Sequence, residues 1–255
     1  MESLNVDQDS LATGSPTSSV VPTQERSANK WLGLLFIAMS AWVALPWLAP
    51  IFMKAGWESL AKPIYLFYSL QCHQLPQRSF FLFGPQPMLS LSHVQAAWQN
   101  TTNPAMLREF VGNEQLGYKV AWSDRMVSAY SSILLGGAVW ILLRKRVRTF
   151  PIWGVALLAL PMVLDGLTHM MSDFAGIGEG FRYTNEWLAQ LTQYRLPQTF
   201  YVGTTIGTFN SWMRLITGVL FGVGVGWFVF SNLGLAFTRA KRARTDREVV
   251  SQSEP

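Results

Sequence analysis

The chain has 255 residues, 49% of them apolar and only 14% charged, with a formal net charge of +5. A typical soluble domain carries about 25% charged residues; here the deficit is concentrated in long charge-poor stretches, which points to a bilayer rather than to a large soluble core. The positive balance does not indicate nucleic acid, because its basic clusters, R-K-R-V-R from Arg144 to Arg148 and R-A-K-R-A-R from Arg239 to Arg244, each follow directly on an apolar segment.

Residues 1–29 are rich in Ser, Thr, Gln and Pro and poor in large apolar side chains. Such a composition buries too little surface to offset ordering entropy, so a disordered tail is expected there. It does not read as a signal peptide, because the apolar run starts only at about residue 31. Spanning the hydrocarbon takes about 20 apolar residues. Four segments meet this, at about 31–53, 124–143, 150–171 and 211–237, within a membrane domain covering 30–237. A basic and then polar tail, 238–255, follows.

Orientation follows from the excess of Lys and Arg in cytoplasmic links. The links after the second and fourth spans are basic, and Arg26 and Lys30 precede the first. Both termini are therefore expected in the cytoplasm, with long loops at about 54–123 and 172–210 outside the cell membrane. The segment 57–72 is apolar and aromatic but short, and it contains Lys62 and Pro63. A fifth span would place the two long loops on opposite sides, so an interfacial or partly re-entrant helix fits the charge pattern better.

The outer loops carry helix signals. Ser92-x-x-Gln95 has the form of a capping box. Asn103-Pro104 offers a cap and a first-turn proline for a second short helix closing near Gly112. Thr184 is placed to cap a third, through about Gln193. The expected fold is an all-α integral membrane protein, a four-helix bundle with a small extracytoplasmic helical cap. In the last span Gly218, Gly222 and Gly226 recur every four residues. They define a small-residue face, which permits close helix packing in lipid.

Several polar residues are candidates for chemistry. Cys72-His73 pairs the two side chains that bind soft metals best, although structural sites normally need four ligands. Asp165 and His169 share a helical face in the third span, and Asp165 lies roughly 9 Å inside the outer end of that span. An ionisable residue at that depth signals function or pairing. Arg214, at similar depth in the fourth span, is the expected partner of Asp165. Asn210 shares a face with Arg214, and Arg125 and Arg78 complete a candidate polar network. The tentative metal set is Cys72, His73, Asp165 and His169, for a transition-metal ion. Cys72 is the single cysteine, so no disulfide forms within the chain, though two chains could pair through it. No phosphate loop, nucleophile elbow or zinc-protease helix is present.

The run I-Y-L-F-Y-S-L-Q-C-H-Q-L-P-Q-R-S-F-F-L-F-G, from Ile64 to Gly84, resembles the signature of a prokaryotic multipass membrane family catalogued as domain of unknown function 2085. Three further stretches follow in the expected order. They are L-G-Y-K-V-A-W-S-D-R from Leu116 to Arg125, L-P-x-x-x-D-G-x-T-H from Leu160 to His169, and G-T-F-N-S-W-M-R-L-I-T-G from Gly207 to Gly218. The resemblance covers about residues 60–235 and implies a membrane-embedded bundle of prokaryotic origin, without an activity to carry over. It marks Cys72, His73, Pro76, Arg78, Ser79, Arg125, Asp165, Gly166, Asn210, Arg214 and Gly218 as matching positions. Relatives with a second cysteine near the arginine matched by Arg125 have Ser123 or Asp124 as their counterparts here, which weakens a thiolate metal site.

Three readings stay open at this level. One is a non-enzymatic membrane protein whose polar site under the cap binds a metal ion or small ligand. Another is a structural or assembly partner, for a membrane protein or a second copy of the chain, whose network only locks the helices. The third is a membrane enzyme or redox component using Cys72.

Overall fold

The computed structural model describes residues 21–253 except 145, 147 and 148; of the expected N-terminal tail, residues 1–20 lie outside the described residues. In chain order the elements are α1 (Val21–Lys54), α2 (Glu58–Ser69), β1 (Ser79–Leu82), α3 (Leu91–Ala97), α4 (Pro104–Leu107), β2 (Gly112–Asn113), β3 (Gly117–Ser123), α5 (Asp124–Leu143), α6 (Ile152–Asp173), α7 (Phe181–Thr184), α8 (Glu186–Leu191), α9 (Gln198–Tyr201) and α10 (Phe209–Ser253). Four helical stretches are long and apolar enough to cross a membrane: Lys30–Lys54, Asp124–Leu143, Ile152–Asp173 and Phe209–Phe237. The fold is thus a mostly helical membrane bundle, with both long connections gathered at one end as a cap.

The bundle is organised around α10. It packs along α5 and, less extensively, along α6, while α1 packs on α10, α5 and β3. The α5–α10 seam is a backbone-to-backbone contact. A Cβ added at Gly222 would lie 2.1 Å from the Ala129 carbonyl oxygen, and one at Gly226 would lie 2.3 Å from that of Ile133. Gly218 faces Ser128 in the same way, its added Cβ 2.1 Å from the hydroxyl, and Gly136 of α5 approaches Val223. The glycine face of the last span is therefore turned to the second span of the same chain.

At the cap end, α1 closes at Gly56 (φ +76°), where Trp57 N–H reaches back to the Phe52 carbonyl. This is the left-handed glycine stop that ends many helices. The chain then turns into α2, twelve residues long, or about 18 Å at 1.5 Å per residue, too short to cross. One face of α2 (Ala61, Ile64, Tyr65, Tyr68) is buried, and the other exposes Leu60, Leu66 and Phe67. The buried face forms a core with Ala49 of α1 and with Val120, Ala121 and Trp122 of β3. Pro46 lies inside α1 and has no N–H to give the carbonyl four residues before it. That carbonyl, of Trp42, instead accepts the Tyr68 hydroxyl at 2.8 Å, so the proline is compensated by α2.

The cap also contains a three-stranded antiparallel sheet of order β1-β3-β2, which the sequence reading lacked. Ser79 of β1 stands opposite Ser123 of β3, so the register brings Arg78 beside the Asp124-Arg125 pair that opens α5. The short cap helices start differently from the expected signals. Ser90, not Ser92, caps α3, accepting from His93 N–H. Asn103 caps α4 with Pro104 in its first turn as expected, but that helix ends at Leu107. Thr184 ends α7 instead of capping the next helix, and α8 starts from Asn185 in the left-handed region (φ +45°).

Candidate functional site

The polar residues converge where α6 ends and α5 and α10 begin, under the cap. Arg214 of α10 binds Asp124 of α5 through Nε (2.8 Å to each carboxylate oxygen) and Nη2 (2.6 Å), and Nη2 also donates to the Thr204 carbonyl at 2.6 Å. Asp165 of α6 accepts from Arg125 Nη2 at one oxygen and from Arg182 Nη2 at the other, each at 2.6 Å. Arg78 makes a two-pronged contact with Asp173 at 2.8 and 2.7 Å. Planar guanidinium forks suit such geometry, and charged partners strengthen each bond.

The expected Asp165–Arg214 pair is therefore not formed. Arg214 of α10 instead meets Asp124 of α5, and the cap supplies Arg182 to Asp165. Asn210 shares a face with Arg214 and acts on Arg182: its amide donates to the Arg182 and Gly203 carbonyls. Asn185 donates to the same Arg182 carbonyl at 2.7 Å. Two buried amides thus fix the loop that delivers Arg182. Burial is the first cause holding the Arg182 pKa below its ordinary value, with Asp165 opposing it.

The tentative metal set is not brought together. Among the described residues no group of three or more His, Cys, Asp or Glu side chains is placed to hold a metal ion. Asp165 is engaged by two arginines, and His169 Nε2 lies 3.2 Å from Arg182 Nη2. With the arginine as donor, Nε2 accepts, which assigns the proton of the neutral ring to Nδ1. Cys72 is buried, and its sulfur accepts the Gln74 and Ser123 backbone N–H groups at 3.4 and 3.3 Å. Burial also removes it from the surface where two chains would pair. His73 Nδ1 accepts the Leu75 N–H at 3.2 Å, leaving Nε2–H as the ring's donor. Its side chain is exposed to a cleft yet lies deep among protein atoms. That desolvation, and then the cations Arg78, Arg125, Arg214 and Lys119, hold the His73 pKa well down, at about 3.

The Cys72-His73 turn is clamped by two residues that sequence reasoning passed over. Gln74 adopts φ +51°, and its amide donates to the Tyr65 and Ala121 carbonyls at 2.9 Å each, joining α2 to β3. Lys119 of β3 is fully buried and donates to the Gln74 carbonyl at 3.0 Å and the Arg108 carbonyl at 2.5 Å. Asp173 and Arg182 were likewise missed. The adjacent charges Asp124-Arg125 at the mouth of an apolar span were a usable signal; nothing in the sequence marked the loop residue Arg182.

A cleft of about 630 Å³ lies between α5, α6 and the cap, lined by Cys72, His73, the cations Arg78, Arg125 and Arg214, the carboxylates Asp124 and Asp173, and the methionines Met126 and Met162. A smaller hollow of about 10 Å³ lies behind Arg78, against His169 and Thr204, with room for about one water. Four guanidiniums (Arg78, Arg125, Arg182, Arg214) share three carboxylates (Asp124, Asp165, Asp173). Buried N–H donors without a hydrogen-bond partner remain at Nε of Arg78, Arg125 and Arg182 and at Nη1 of Arg214. The starts of α5 and α10 add the positive ends of two helix dipoles. Guanidiniums thus outnumber carboxylates by one in this cluster.

Fold and site together define a polytopic helical membrane protein with a buried polar centre at one end. Residues 115–228 match the family described as Predicted membrane protein (DUF2085), which shows the resemblance read from the motifs. The chain is also similar to an uncharacterized protein of Methanocaldococcus jannaschii, 26% identical over 185 residues that cover 68% of this chain and 94% of that protein. No solved structure matches.

Proposed function

We propose that this membrane protein binds a small oxyanionic ligand in the cleft beneath its cap. The observation that supports the reading is the charge imbalance: four largely buried guanidiniums against three carboxylates, with unpartnered N–H donors among them. An uncompensated charge inside a membrane protein is costly, and an anion would balance it. Arg125 is the leading contact residue, since Asp165 engages its Nη2 while its side chain stays partly open to the cleft. The His73 ring N–H is a second donor. The chemistry offered is that of phosphate, sulfate or carboxylate recognition. The cap lies on the extracytoplasmic side in this reading, supported by the basic clusters at the opposite ends of α5 and α10.

The test is titration of the purified detergent-solubilised chain with inorganic phosphate and sulfate by calorimetry. Saturable binding that weakens with added salt and is lost in Arg125→Gln is expected. No binding of either anion by a monodisperse parent overturns the reading. That result would favour a purely structural network, the role for which the saturated Arg214–Asp124 pair is best suited.

A further inference from the structure

We infer that the anionic group is carried by a membrane amphiphile, a phosphate-bearing lipid that enters the cleft sideways between α5 and α6. The inference rests on the oxyanion-binding reading above. It adds where the ligand comes from and what else is attached to it.

The cleft has two chemically distinct halves. Its cap half carries Arg78 and Arg214, paired with Asp173 and Asp124, together with Arg125 and His73, and beyond Arg125 it is walled by Met126 of α5 and Met162 of α6. Met162, Gly166, Met170 and Phe174 all line it and recur every four residues on α6. That spacing is one helical face, running about 18 Å along the axis at 1.5 Å per residue. A free oxyanion would use only the cationic end. Met170 and Phe174 flank the cationic half, and Met162 with Met126 continues the groove about one turn, roughly 6 Å, below Gly166 and Arg125, an apolar floor for the first carbons of a hydrocarbon chain.

The cleft is bordered by lipid-facing residues. Met170 and Phe174 on its rim are 52% and 81% exposed, on a helix whose Leu164 and Leu167 are also exposed. Both α5 and α6 pack on α10, and the cleft separates their cap ends. Gly166 occupies its middle, and the nearest atom to a Cβ built there is Arg125 Nη1 at 3.1 Å. A side chain at 166 would cover that nitrogen, so the glycine keeps the guanidinium open to a headgroup arriving along α6. Methionine walls accept chains of differing shape because the side chain is unbranched and flexible.

The experiment compares three probes on the purified full-length chain in detergent: dioctanoyl phosphatidic acid, dioctanoyl glycerol and inorganic phosphate. Phosphatidic acid is expected to bind at least about tenfold more tightly than phosphate, a difference that calorimetry resolves, with dioctanoyl glycerol the weakest. Met162→Trp, which fills the apolar end, is expected to lower phosphatidic acid affinity to near that of phosphate, so that the ratio between the two probes collapses. Met170→Trp, at the exposed rim, repeats the test at a position where misfolding is not expected. Equal affinity for phosphate and phosphatidic acid, indifferent to both tryptophans, overturns the amphiphile inference and leaves the oxyanion reading standing. Absence of binding by phosphate and phosphatidic acid alike overturns both.

Discussion

Helix α5 has two different neighbours at the same membrane depth. Against α10 it makes a glycine-backed seam in which a single methyl group would collide with backbone. Toward α6, at the cap end, it opens into a cleft bordered by arginines and methionines. In lipid, hydrophobicity does not drive helices together; close van der Waals contact does. The seam therefore serves as the spine of the bundle, and the cleft is the place where the bundle has left its helices apart. Charge is divided between the two: the Arg214–Asp124 pair closes the cap end of the spine, while Arg78 and Arg125 border the cleft.

The comparison is broken most completely at the spine. Gly222→Leu places side-chain atoms where the Ala129 carbonyl already lies. The cost is expected at or above the upper end of the ~1–3 kcal/mol range for overpacking, read as loss of monodisperse protein on size-exclusion chromatography. Gly33→Leu in α1, where nothing lies within 4 Å of the added Cβ, is the control and should purify normally. Next is Asp124→Asn, which leaves Arg214 buried without its carboxylate. Breaking one partner of such a pair costs about 3–5 kcal/mol, measured as a lowered melting midpoint in detergent.

Arg125→Gln sharpens the contrast between structural and binding charge. Asp165 keeps Arg182 at 2.6 Å when Arg125 is removed, so no carboxylate is stranded. The expected stability loss is about 1.5–3 kcal/mol, the range of a hydrogen bond to a charged group, while phosphate affinity falls sharply. An equal loss of stability in Arg125→Gln and Asp124→Asn would remove the distinction and make the whole cluster a structural lock.

How far this was legible in the sequence depends on whether the signal was one-dimensional. Four charge-poor runs state their own length, so four apolar helices could be read directly. The glycine spacing named a packing face but not what it faces, because azimuth between helices is set by the whole bundle. The same gap produced the wrong partner for Asp165: depth is readable from residue counts, and the direction in which Arg214 points is not. Strand β3 was invisible for a different reason. Its residues are buried on both faces, Lys119 included, so the alternation that marks a half-exposed strand is absent. Arg182 of the short helix α7 and Asn185 at its end take their partners from distant segments, and no local spacing predicts them.

Lys119 yields an effect of definite sign, read as a slope against pH. It is fully buried with two carbonyls as partners, and desolvation lowers its pKa to about 7, a pull that Cys72 opposes and Arg108 reinforces. In the unfolded chain a lysine titrates near 10.4. Between these values the unfolded state holds a proton that the folded state has released, so stability rises as pH rises through that window, by at most ~1.4 kcal/mol per unit. Tyr65 and Tyr68, whose phenols burial pushes up, Tyr68 to about 12, oppose this from about pH 9 upward, as an unfolded tyrosine with a pKa of about 10 begins to ionise. A melting series from about pH 7 to about pH 9 should therefore show an upward slope in the parent that is reduced in Lys119→Met. An identical slope in both would mean that Lys119 keeps its proton when buried. In that case the clamp that holds the Cys72-His73 turn carries a full charge and adds to the positive field of the cleft.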